Sequence, residues 1–482
     1  MNQEILNFAP QRLWQHFEEL NAIPRASKNE AQVIDFIKNF GIGLGLETTV
    51  DQVGNVLIRK PATAGHEDRP GVILQGHLDM VHQKNSDKQF DFASQGIESY
   101  VEDGWLKARG TTLGADNGIG VASIMAVLSA TDLKHGPLEA LFTIDEETGM
   151  TGAFALEPGF LQGQILLNTD TEDEGELCIG CAGGIDTNVS LEYQPVPSGS
   201  NRSAFQIAVT GLRGGHSGCD IHLGRGNANK IINRLLWDAF RAYEIEIATV
   251  DGGGLRNAIP RESFATITVP NYHLASWQDA VTRQFHQIKA ELEDAEPGLS
   301  LSIEPAEFPL QVIDPTTQLN LLNLIYAAPC GVIRMSDSIP GLVETSTNLA
   351  RVLAKEGQVS IQFLTRSSVD SAKRDVANQV QALFELAGGQ AVHEGSYPGW
   401  RPNRESKILA EMRQLYEELF HVAPQVNAVH AGLECGIIGR HYPQLDMISF
   451  GPTIKNPHSP DEKCDIASVE KYWKFLVATL AS

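Results

Sequence analysis

Residues 71–79, GVILQGHLD, constrain this chain more than any other stretch. A short apolar run, 72–74, passes through a Gly turn and delivers His77 and Asp79 two residues apart. The arrangement recurs: an apolar run at 141–144 ends in Asp145, Glu146 and Glu147, and another at 165–167 ends in Asn168, Thr169 and Asp170. A last run, 447–450, leads into a loop carrying His458. Each has the length and flanks of a buried strand in a mostly parallel sheet, where both faces are covered and the sequence reads as continuously apolar. Ligands of open α/β sheets gather beyond the carboxyl ends of such strands. Four strand ends therefore present imidazoles and carboxylates to one crevice, and the expectation is a metal site for two ions.

A chain of 482 residues forms two or three domains and buries large cores without disulfides. With 60 Asp and Glu against 37 Lys and Arg, it lacks the basic surface that nucleic acid or an anionic membrane requires. The opening MNQEILNFAPQRL has no basic segment followed by an apolar core, so it does not read as a secretory signal. No apolar run reaches the ~18 residues of a membrane span. Six scattered cysteines then point to reduced thiols and a cytoplasmic protein. Cys178 and Cys181 form a C-x-x-C, but with no second pair or nearby His they read as ordinary packing.

In chain order, residues 27–30 (SKNE) read as a capping box opening a helix with apolar residues at Val33, Ile34, Ile37 and Phe40. Residues 50–58 read as two strands around a turn at Gly54-Asn55. The glycine-dense 110–120, GTTLGADNGIG, opens an apolar helix. A phosphate cradle fails there for lack of a Lys and because Asp116 would face the phosphate; glycines that let Asp116 approach a cation fit better. Asp145, Glu146 and Glu147 at the mouth of a buried strand repel one another unless a cation neutralises them. The Pro/Ser/Gly-rich 194–203 and 397–404 read as boundaries. Between them lie two α+β passages of comparable size, the second with helices at 318–326 and 370–386 and strands near 331–335, 344–352 and 359–365. The fold expected is α/β: a mostly parallel-sheet catalytic domain, 1–185 and 399–482, split by an inserted α+β domain, 186–398.

The expected metal ligands are His77, Asp116, Glu147, Asp170 and His458, a donor set that suits Zn²⁺, with Co²⁺ or Mn²⁺ as alternatives. Two ions need one bridging carboxylate and terminal ligands for each, which five side chains supply. Asp79 is spaced to hold the second nitrogen of His77, and Glu146 to take a proton from a water. Taken singly, His77 passes for a structural histidine and His458 for a loop histidine. Following strands of one sheet, they make a set.

These motifs, GHLDMV, GADNGIG, DEETGMTG, NTD and NPHSPDE, resemble the five metal-site motifs of the M20 family of di-zinc peptidases, in order and spacing. The insertion, with GLRGGHSG, GGGLRNAIP and LVETSTNLA, is most similar to a dipeptidase branch of that family. The resemblance implies that His77 and Asp170 hold one zinc, Glu147 and His458 the other, and that Asp116 bridges them. It implies a cis peptide after Asp116, Asp79 orienting His77, and Glu146 as general base and later acid. It makes the insertion a lid of two ferredoxin-like units, with His216 stabilising the oxyanion and Asn257 and Arg366 contacting substrate. Arg366 suits the substrate's carboxylate; its plainer reading is a surface residue at a strand end. The implied activity is broad dipeptide hydrolysis, including Xaa-His dipeptides such as carnosine. Its alternative is an amidase, acylase or tripeptidase on the same site. Related one-unit lids borrow the histidine across a homodimer, whereas two units here leave a self-contained site open.

Overall fold

The computed structural model describes residues 2–482. The chain forms two compact units: Met1–Cys181 with Trp400–Ala428 and Leu433–Ser482, and Ala182–Gly399 with Val429–Gly432.

The first unit is built on an eight-stranded sheet. At its centre Val72–His77 lies parallel between Leu138–Thr143 and Ile165–Asn168, and Asp446–Ser449 adds in parallel beyond. The register sets Val72 opposite both Leu138 and Ile165, so the strands start level and their carboxyl ends emerge together. All six residues of Leu138–Thr143 are buried, as are residues 73–77, which is why their apolar residues stand at consecutive and not alternate positions. The hairpin Glu47–Val50 and Val56–Lys60 closes one edge, and Glu176–Cys181 and Gln425–Val429 close the other.

Helix Ala115–Ser129 is buried on every side from Ala115 to Leu128, as a helix apolar all round must be. It packs on Gln11–Asn21, whose Leu13, Trp14, Phe17 and Leu20 are fully buried. At about 1.5–3 kcal/mol per large apolar side chain, that contact anchors the helix whose first turn carries Asp116.

The expected capping box at 27–30 does not form. The helix is Ala31–Gly43, and no side chain caps its N-cap residue, Glu30. Ser27 Oγ instead donates to Asp79 Oδ2 at 2.8 Å, and Glu30 Oε1 accepts from the Lys28 amide. The Ser27 hydroxyl thus commits its proton to Asp79, and no first-turn amide bonds to its oxygen among the described residues.

The second unit is an antiparallel sheet of nine strands, with Gly331–Met335 pairing beside Val343–Lys355 off the main order. Helices Ala228–Tyr243, Leu274–Glu291, Pro315–Ala327 and Asp370–Glu385 accompany it. Asn227 and Asp314 cap two of them by accepting backbone N–H groups. The two α+β passages share this one sheet, joined where residues 250–253 pair with 351–354. They also share one core, which runs from Ile207, Leu235 and Trp277 to Leu321, Phe363 and Phe384. Strand Gly183–Glu192 pairs with Gln358–Ser367 and Gln390–Tyr397, so the start of the first passage is built into the second. The 194–203 stretch therefore lies within this unit. Among the described residues no helix is long and apolar enough to cross a membrane.

Candidate metal centre

Each expected ligand sits where a strand of the first unit ends or a helix begins. His77 closes strand Val72–His77, Glu147 follows Leu138–Thr143, and Asp170 follows Ile165–Asn168. His458 lies in the loop beyond Asp446–Ser449. Asp116 stands at the start of helix Ala115–Ser129 with non-helical φ/ψ, and the peptide bond to Asn117 is cis.

The five side chains converge. His77 Nε2 lies 3.2 Å from Asp116 Oδ1 and 3.2 Å from Asp170 Oδ1. His458 Nε2 lies 3.3 Å from Asp116 Oδ2 and 3.0 Å from Glu147 Oε2. Asp116 thus turns one oxygen to each imidazole, and a separate carboxylate completes each triad. Within each triad the donor atoms lie within 4.8 Å of one another. His77, Glu146 and Glu147 form a further such group. Glu147 Oε1 is buried with no hydrogen-bond partner among the described residues, and Asp170 Oδ1 has none there beyond its contact with His77. Bare carboxylate oxygens and imidazole nitrogens aimed at common points fit divalent cations, which need such donors and offset their desolvation.

Asp79, fully buried, organises this centre. His77 Nδ1 lies 3.3 Å from Asp79 Oδ1 and 3.1 Å from the Asp79 carbonyl, so Nδ1 is held there as a donor and Nε2 is the nitrogen turned to Asp116 and Asp170. Asp79 Oδ1 also accepts the Glu146 amide at 3.0 Å, and Oδ2 the Glu147 amide at 3.3 Å. One carboxylate therefore fixes a histidine and the two-glutamate turn together.

The electrostatics follow. Burial pushes the Glu146 carboxyl well above the usual range, and the negative charges of Asp170 and Glu147 add to this against the pull of His77. Burial likewise raises Glu147 and Asp170. Burial opposes ionisation of Asp116 too, but its bonds to His458 and His77 win and hold it below the carboxylate range. Hydrogen bonds to Asp116 and Glu147 lift His458 to about 11.

Sequence reasoning missed the buried groups behind this layer. Glu462 accepts the backbone amides of residues 113–116, and Arg25 donates to the Gly114 carbonyl. Glu434 accepts from Gln75 and Thr143. Only the position of Glu462, four residues after His458, is a signal in the sequence.

In the second unit Arg366 is 5% exposed, so the surface reading does not hold. Its Nη2 approaches His216 Nε2 at 3.5 Å, its Nη1 donates to the Tyr397 hydroxyl at 2.9 Å, and its Nε donates to Ser217 Oγ at 3.4 Å. His216 Nδ1 accepts the amides of Gly218 and Cys219 at 3.2 and 3.0 Å, which places the proton of the neutral ring on Nε2. Burial, aided by Arg366, lowers His216 to about 4. Asn257 joins this group through its carbonyl, which accepts the Ser217 amide at 2.8 Å; its residue is exposed.

A family model described as Peptidase family M20/M25/M40 matches residues 73–482. The chain is 45% identical over 481 residues to the cytosol non-specific dipeptidase of Escherichia coli K12, covering 99% of this chain and 98% of that one. The crystal structure of an aminoacylhistidine dipeptidase from Vibrio alginolyticus superposes with a TM-score of 0.93 at 44% identity, over 99% of this chain and 98% of that one. An aminopeptidase structure from Bacillus cereus shares the fold at a TM-score of 0.57 and 16% identity, over 98% of both chains.

Proposed function

The chain belongs to peptidase family M20/M25/M40, and from that premise we propose that it is a dipeptidase of broad specificity with two zinc ions per chain, Xaa-His dipeptides included. One observation carries the reading: the two oxygens of Asp116 each face an imidazole, at 3.2 and 3.3 Å, and each pair has its own further carboxylate. The names of the E. coli and Vibrio proteins support the substrate class. The word "cytosol" in the first supports a cytoplasmic location.

His77 and Asp170 would hold one ion, Glu147 and His458 the other, with Asp116 between. Bound divalent ions supply Lewis acidity, which acidifies water and polarises a carbonyl. Glu146 acts as general base: it takes a proton from the attacking water at its carboxylate and returns it to the leaving amine. Asp79 keeps the Nδ1 proton of His77 in place and steadies the turn that carries Glu146. On the second unit, which we read as the lid, His216 offers an Nε2–H suited to a developing oxyanion. The fixed fork of Arg366 suits a substrate carboxylate, and Asn257 is assigned to substrate contact beside it. A free carboxylate is common to dipeptides, longer peptides and N-acyl amino acids, so the preference for dipeptides rests on the names of the E. coli and Vibrio proteins.

The test is metal analysis of the purified protein, with dipeptide turnover before and after chelation and on zinc return. Carnosine, a tripeptide and an N-acetylated amino acid run in parallel. Activity that survives full metal removal would overturn the proposal. Preference for the acylated amino acid or the tripeptide would overturn the substrate class.

A further inference from the structure

We infer that Glu462, with Arg25 opposite it, is a positioning residue that aims the Asp116 carboxylate and so sets the affinity for both ions. This rests on Asp116 as the shared ligand. Glu462 is 2% exposed, and every bond it makes goes to the loop that enters Asp116. Its Oε2 accepts the Leu113 and Gly114 amides at 2.7 and 2.9 Å. Its Oε1 accepts the Ala115 and Asp116 amides at 2.7 and 3.3 Å. Four consecutive N–H groups thus converge on one buried carboxylate, bonds strengthened by its charge.

Arg25, also 2% exposed, grips the same loop from its carbonyl side. Its Nη2 donates to the Gly114 carbonyl at 2.5 Å, and its Nη1 to the carbonyls of Leu78 and Asp79 at 3.1 and 3.2 Å. The arginine ties the loop to the segment of His77, and Glu462 ties it to the segment of His458. The bridging residue is therefore referenced to both histidine-bearing segments at once. Gly114 is dictated by this arrangement: its φ is +69°, and a Cβ there would lie 2.5 Å from Arg25 Nη2. Asp116 leaves helical geometry, with φ −80° and ψ 113°, at the residue whose amide Glu462 holds. The direction of its carboxylate depends on that amide.

The experiment uses the full-length zinc-loaded protein and Glu462→Gln. The amide keeps the shape but accepts at one end only, so two of the four N–H groups face an NH₂ group. The expected result is a 10–100-fold weaker zinc affinity, about the cost of losing an outer partner of a metal ligand, by chelator competition at both sites. A shifted visible spectrum of the cobalt-loaded protein should accompany it. Asp461→Asn, at the exposed neighbour, should change neither. Wild-type affinity and cobalt spectrum in Glu462→Gln overturn the inference, and so does a loss of thermal stability with both unchanged. If that variant does not fold, Arg25→Lys replaces it, with about a 10-fold loss expected and wild-type affinity overturning the idea. Asp116→Asn separates the two levels. If it binds zinc like the wild type, the reading of the centre fails. If it loses zinc while Glu462→Gln does not, only the positioning role fails.

Discussion

Asp79→Asn is the most informative single change, because one carboxylate serves a histidine and two glutamate amides. The asparagine amide must put its NH₂ in place of one oxygen. At the Oδ1 position it would oppose the Glu146 amide, 3.0 Å away, and His77 Nδ1, 3.3 Å away. At Oδ2 it would oppose the Glu147 amide at 3.3 Å and the Ser27 hydroxyl at 2.8 Å, and a hydroxyl can turn round and accept. The second orientation costs less. It leaves one buried N–H unsatisfied, about 1–3 kcal/mol, and weakens the remaining bonds by about 1 kcal/mol each as the acceptor loses its charge. The expected destabilisation is about 3–5 kcal/mol. The part felt by His77 and Glu147 should weaken metal binding by about 10–100-fold, or ~1.4–2.8 kcal/mol. Urea unfolding of the metal-free protein reads the first quantity and chelator competition the second. Unchanged stability with unchanged metal affinity would refute the reasoning.

Glu146→Gln should keep both ions by metal analysis while turnover of a dipeptide falls by about 10²–10⁴-fold or more, the range for removing a general base. Arg366→Lys should lower kcat/KM for dipeptides by about 10–100-fold, since a lysine cannot make the forked contact, and dipeptide amides should not feel the change. Metal binding should release protons. His77 is raised well above its ordinary value by Asp170, Asp116 and Asp79 against burial, and His458 is raised to about 11 by Asp116 and Glu147. Both shifts favour the protonated imidazole in the metal-free protein. Each must deprotonate to ligate, so affinity falls as pH falls below the raised values. Calorimetry in buffers of different ionisation enthalpy checks this, and no net release would contradict it. By the same sign, the contacts of His458 with Asp116 and Glu147 stabilise the metal-free fold fully below the ordinary histidine value of 6.5 and are lost as pH rises through about 11. Its melting temperature should therefore decline over that window.

The parallel strands were legible because burial on both faces leaves no room for alternation: residues 72–74 are apolar without a break, 141–144 are broken only by Thr143, and the polar residues that follow mark the strand ends. The gathering of His77, Glu147, Asp170 and His458 followed from the strand ends, and that of Asp116 from the glycine loop 110–120. The scaffold behind them was not legible. Glu462 binds backbone amides, and a backbone amide leaves no trace in the letters. Arg25 likewise binds backbone carbonyls, which the letters do not show. Ser27 failed as a cap for the same reason, since its competing acceptor lies 52 positions away in sequence. That the two α+β passages of the insertion share one sheet was not legible, because alternating strands carry no label for their partners. Only long-range register places residues 183–192 beside 358–367.

The buried carboxylates of the first unit sort by what their oxygens meet. Asp79 takes two amides and a hydroxyl, and Glu462 takes four amides. Asp145 takes Lys28, Thr148 and Thr151. Such groups are already satisfied, and a cation would compete with bonds they have. Glu147 keeps an oxygen with no donor, and the oxygens of Asp116, like Asp170 Oδ1, face imidazoles and no backbone amide among the described residues. Glu434 stands between the classes, with Oε2 held by Gln75 and Thr143 and Oε1 by nothing among the described residues. Burying an unsatisfied carboxylate is expensive, so a chain that keeps several together must recover that cost from something it binds. The division separates ligand from scaffold on hydrogen bonding alone, and it places Glu462 with Asp79 on the side that aims and does not bind.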